Sequence, residues 1–136
     1  MRVCRHGGRI GLANWTPAGF VGEAFKVVAS HVPPPSGLLA PSLWGTEARL
    51  VDLLGAEAHE IHSRQLHFTF RYRSASHWLE GFRTWYGPFH RAFATLGPAG
   101  QAALEAELTA LVERFNVSRS RTMVVPAAYL ETVVVA

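Results

Sequence analysis

The chain has 136 residues, 49% hydrophobic and 17% charged, which fits one folded domain or part of one and excludes a disordered chain. A formal charge of +3 comes from scattered arginines and a single lysine, Lys26, with no like-charge run, so composition excludes a nucleic-acid tail. One cysteine, Cys4, excludes an internal disulfide, and no apolar run approaches the roughly 20 residues that span a bilayer, so the sequence reads as a cytoplasmic protein with no membrane span.

In chain order, Gly7-Gly8 supplies a turn before a short apolar strand over residues 9–14, with Ile10, Leu12 and Ala13. Thr16-Pro17 reads as an N-cap followed by proline at the first helical position. Phe20, Val21, Ala24, Phe25 and Val28 then keep a helical stripe until Pro33-Pro34-Pro35 ends it. Residues 33–45 form a Pro/Gly-rich connection whose Leu38, Leu39 and Trp44 need a packing partner, which argues against a free linker. Thr46 caps a second helix with Glu47 in its first turn; Leu50, Leu53 and Leu54 face the core and Gly55 stops it.

The clearest strand runs from Leu66 to Tyr72, where Leu66, Phe68, Phe70 and Tyr72 alternate with polar residues. A helical pattern follows over 75–95, carried by Trp78, Phe82, Trp85, Phe89 and Phe93 and broken or kinked at Gly87-Pro88. The next helix runs from Pro98 to about Asn116, with Leu104, Leu108, Leu111 and Phe115 on one face. Two β-rich stretches, 123–125 and 129–135, read as an extended pair interrupted by Pro126.

Four segments carry a resemblance. Residues 2–15, Arg2-Val3-Cys4-Arg5-His6-Gly7-Gly8 and then Arg9 to Trp15, read as a helix end, a Gly-Gly turn and a strand. The others are Leu12-Ala13-Asn14-Trp15-Thr16-Pro17 with Gly19-Phe20, then Leu43-Trp44-Gly45-Thr46-Glu47, then Phe82-Arg83-Thr84-Trp85-Tyr86-Gly87-Pro88. In this succession they resemble class I S-adenosylmethionine-dependent methyltransferases, in the branch acting on quinones and other small molecules. His6 stands where that family usually has proline.

The resemblance implies an α/β chain: the C-terminal, substrate-side half of a Rossmann-like methyltransferase domain over residues 1–136. Its last two strands would pair antiparallel at a sheet edge, with a helical substrate cap between them. S-adenosylmethionine is implied as cofactor, yet no Gly-rich loop of the kind that lets backbone amides approach such a ligand occurs here. Gly7, Gly8 and Gly11 precede or lie in the wrong strand, and the lone Asp52 falls within a predicted helix. No cofactor-binding residue is therefore assigned. The resemblance implies a chain inactive alone, whose acceptor is an apolar or aromatic small molecule and whose cofactor half is missing. The competing reading is a non-catalytic half-domain that binds a ligand or protein and self-associates as a homodimer through the open edge of strand 9–14.

Candidate substrate residues follow from position. Asn14 and Trp15 lie just past the carboxyl end of a strand, where ligands bind in open α/β sheets. Trp85, on the aromatic stripe with Trp78, Phe82 and Phe89, could line an apolar pocket, and Tyr86, off that stripe, is the better candidate for a polar contact. The blander alternatives are a chain-exit cap for Asn14 and ordinary core for Trp15 and the stripe. His59, His62 and His67 lack the converging Cys or acid that a metal site needs. His67 and His90 are conceivable general bases. One Asp and one Cys leave no Ser-His-Asp or Cys-His arrangement for hydrolysis.

Overall fold

A computed structural model describes residues 3–136. Among them are three strands, β1 (Arg9–Trp15), β2 (Glu60–Tyr72) and β3 (Met123–Val135). The helices are α1 (Phe20–His31), α2 (Glu47–Leu54), α3 (Ala75–Trp85), α4 (Gly87–Thr95) and α5 (Pro98–Phe115), with a 3-10 turn at Pro41–Gly45. The chain is thus α/β, with a three-stranded antiparallel sheet in the order β1-β3-β2. Both outer strands pair antiparallel with β3, Arg9 opposite Val135 and Tyr72 opposite Met123. No helix among the described residues is long and apolar enough to cross a membrane.

Part of the predicted helix end before Gly7 falls on residues 1–2, outside the described residues; Val3 to Gly8 is a turn rather than helix. Gly7 has φ +72, a conformation L side chains rarely adopt, and Gly8 N donates to Arg5 O at 2.8 Å. The turn is tied to the end of β3, since Gly7 N donates to Ala136 O at 2.8 Å.

Thr16 does not cap α1, as its position before Pro17 suggested. Its N–H and hydroxyl both donate to Ala128 O, at 3.2 and 3.3 Å, which prolongs the sheet by one residue. Helix α1 starts only at Phe20, after Gly19. The cap at Thr46 is as the sequence predicted: its Oγ1 accepts from Arg49 N at 3.3 Å and donates to Leu43 O at 2.7 Å. Of the three leucines assigned to that helix's core face, Leu50 is fully buried whereas Leu53 is 38% exposed.

Strand β2 begins six residues before the predicted Leu66, and β3 is one continuous strand rather than an interrupted pair. Pro126 is tolerated in this central strand for a geometric reason. Even-numbered residues of β3 turn their backbone polar groups toward β1, as Ala136 N donating to Gly8 O shows. Strand β1 ends at Trp15, opposite Tyr129. Beyond it Val124 is served instead by Asn116 Oδ1 and Val117 N, at 2.7 and 2.9 Å. Pro126 sits in the gap between, where no N–H is needed.

The phase of burial switches along β3. Met123, Val125 and Ala127 are buried on one face, and Leu130, Thr132 and Val134 on the other. The first set joins the main core, with Phe20, Trp78, Phe89, Phe93 and the leucines of α5. Trp78 is its centre: rings of Phe20, Phe82 and Phe89 lie 5.2, 4.7 and 5.9 Å away. The second set stands apart from that cluster, and its one polar member is satisfied, Thr132 Oγ1 sharing a 2.8 Å hydrogen bond with Ser63 Oγ.

Candidate substrate pocket

The four residues predicted from sequence do not form one site. Asn14 and Trp15, adjacent in β1, point to opposite faces of the sheet. Asn14 Nδ2 is buried without a hydrogen-bond partner. Trp15 packs on the main core, its ring 5.7 Å from Phe70 and 6.1 Å from Tyr129. With Ala13 and Phe68 these residues border an open apolar hollow of about 470 Å³. Trp85 is 85% exposed, because α3 ends there and the packing passes from Phe82 to Tyr86, at 4.9 Å, and from Tyr86 to Phe89, at 5.7 Å. Trp85 and Tyr86 do share a second hollow, of about 450 Å³, with Tyr72, His77, Gly81 and Phe82.

Tyr86 also borders a larger pocket, of about 600 Å³. This pocket lies between α1 and the 33–43 connection and is closed on a third side by Tyr86 and Pro88. Its walls are apolar: Phe25 and Val28 from α1 and Val32 just after it face Pro34, Pro41 and Leu43 of the connection. Size and lining suit a small, largely apolar ligand. Leu38 and Leu39, predicted to find packing partners, stand at its rim 65% and 62% exposed. Close backbone approach holds the connection in place. Gly45 sits so near β1 that an added Cβ would lie 2.1 Å from Trp15 O, and Gly22 of α1 would meet Thr16 O at 2.2 Å.

Few polar groups reach this pocket. Tyr86 is half-buried, stacked 6.2 Å from Phe25, and burial raises its hydroxyl pKa, so it stays protonated at neutral pH. Ser42 is only 5% exposed. Lys26 borders the pocket from α1, its Nζ 2.6 Å from Glu23 Oε1, while Arg114 reaches the other Glu23 oxygen at 3.2 Å. Of the residues that line this pocket, sequence reasoning singled out Tyr86 and passed over Lys26, Ser42 and Leu43; the available signal was the apolar content of a Pro-rich connection, which marks a wall without naming its partner.

The two candidate bases lie elsewhere. His67 borders a polar groove with Gln65 and Arg114, and His90 Nδ1 pairs with Arg83 O at 3.1 Å on an exposed surface. His62 pairs with Glu60 at 2.8 Å. Among the described residues no three His, Cys, Asp or Glu side chains converge as metal ligands. Asp52 pairs with Arg49 on α2, an exposed intrahelical contact unlike an acid that holds ribose hydroxyls.

No family model matches the chain. It is 31% identical over 118 residues to an uncharacterised protein of Mycobacterium tuberculosis, a match covering 84% of this chain and 43% of that protein. A second uncharacterised protein of that species is 38% identical over 110 residues, covering 79% of this chain and 39% of its own length. Equivalent relatives occur in Mycobacterium bovis. The chain spans less than half the length of the curated relatives it matches.

Proposed function

We propose that this chain is the substrate-side part of a class I S-adenosylmethionine-dependent methyltransferase, and that the 600 Å³ pocket receives an apolar or aromatic acceptor. One observation carries the reading. Three of the segments that resemble the family contribute to the wall of one pocket: Pro17 from the segment Leu12 to Phe20, Leu43 from the segment Leu43 to Glu47, and Tyr86 and Pro88 from the segment Phe82 to Pro88. Segments far apart in sequence gain a common purpose if they enclose one ligand.

The antiparallel pairing of β2 with β3 at one edge is consistent with a Rossmann-like half-domain, as is the group of helices between those strands. The cofactor residues would come from sequence outside this chain, a division in keeping with relatives more than twice as long as the matched segment. The pocket's part is to desolvate and align the acceptor.

The test uses the longer mycobacterial relatives and this chain joined to whatever reading frame precedes it. Tritiated S-adenosylmethionine is supplied with a panel of quinols and phenols, and label extracted into organic solvent is counted. Absence of both cofactor binding and transfer in every longer protein would end the methyltransferase reading.

A second reading rests on the edge of the sheet. Strand β1 is paired on one side only, and its Arg9, Gly11 and Ala13 are exposed, which favours a self-associating, non-catalytic half-domain. A stable dimer that binds no cofactor in any longer form would favour it.

A further inference from the structure

From the charge pattern of the 600 Å³ pocket, we infer that its ligand is an apolar acid, with the ionised oxygen paired to Lys26 and the body enclosed between α1 and the 33–43 connection. This rests on reading the pocket as the acceptor site. Among the residues that line it Lys26 is the one with a charged side chain, and there is no Asp, Glu or His. It is also the only lysine in a chain otherwise supplied with arginine. A lysine head on a flexible apolar stem can follow a ligand's oxygen while the stem covers apolar surface.

Lys26 is engaged by Glu23, but Glu23 holds a second cation, Arg114 at 3.2 Å. When Lys26 turns toward an incoming anion, Glu23 keeps a partner, so the exchange leaves no carboxylate unpaired. The protonated Tyr86 hydroxyl, which also borders the pocket, can donate a hydrogen bond to the same class of ligand. A neutral hydrocarbon would use neither group.

The experiment measures binding of 2-naphthoate and its neutral isostere 2-naphthamide to this chain by calorimetry, with Lys26→Met and Lys26→Arg alongside. Lys26 is 60% exposed, so a preference of about fivefold for the acid is expected, shrinking as salt is added. Lys26→Met should abolish the preference between the two probes, and Lys26→Arg should retain it. Equal binding of both probes would overturn the inference while leaving the apolar pocket standing. An acid preference that survives in Lys26→Met would also overturn it, by locating the anion elsewhere. If neither probe binds, the pocket reading fails as well.

Discussion

Gly45→Ala is the substitution that most directly tests how the pocket is held. A Cβ at this position would lie 2.1 Å from Trp15 O, 2.5 Å from Trp15 C and 2.8 Å from Thr16 Cα. All three obstacles are backbone atoms of β1 and its extension, so no side chain can swing away. Relief requires the 41–45 turn and the end of β1 to part by roughly 1 Å, and overpacking of this kind costs about 3 kcal/mol at the upper end of its usual range. For a domain of this size that corresponds to a melting temperature lower by about 10 °C. Gly81→Ala is the internal control. It lies within α3, nothing stands within 4 Å of its added Cβ, and removal of a helical glycine should stabilise by about 0.5–1 kcal/mol. Thermal unfolding followed by circular dichroism, supported by urea titration, separates the two. An unchanged or higher melting temperature for Gly45→Ala would refute the close packing of the turn on β1, and with it the account of how Ser42 and Leu43 are positioned.

Three further outcomes are expected. Thr46→Ala should cost about 1 kcal/mol in urea unfolding, because Arg49 N loses its cap. Trp78→Ala should cost about 4 kcal/mol, since the ring is 1% exposed at the meeting point of three other aromatics; a loss under about 1 kcal/mol would show that it is not the centre of the core. The Lys26 hydrogen bond, aided by the charges of Lys26 and Arg114, holds the Glu23 carboxyl below 4.5 against the opposing effect of burial. The folded state then releases this proton more readily than the unfolded chain. Its stabilisation is complete above pH 4.5 and is lost as pH falls through the lower folded value. Glu23→Gln should therefore be less stable than the wild type at neutral pH and indistinguishable from it in strong acid; an equal deficit at both would assign the loss to packing.

What the sequence made legible followed periodicity. The stripe of α5 and the alternation from Leu66 to Tyr72 come from side chains that must turn toward one apolar face, and both elements stand where that pattern runs. The first half of β2 escaped notice because Glu60, His62 and Arg64 face solvent, while Ser63 on the opposite face is satisfied by a hydroxyl from β3. The continuity of β3 was hidden by Pro126, whose tolerance depends on where a strand more than a hundred residues away ends. The same limit governed the pocket. Tyr86 announces itself by standing off an aromatic stripe, but Lys26 looks from sequence like any solvated helix cation. Trp85 followed the stripe and still emerged exposed, because the chain turns one residue later.

The sheet order carries a consequence for biosynthesis. Among the described residues the backbones of strands β1 and β2 are joined only through β3, which lies at the far end of these residues and supplies their ladder partners. On the ribosome both strands must wait with unpaired edges until β3 has emerged, and Arg9 finds its partner only with Val135. Helices α1 to α5 can form earlier, but they have no completed sheet to settle on. Closure of this sheet is thus postponed until β3 has emerged, a high-contact-order arrangement that folds slowly and leaves the nascent chain open to chaperones.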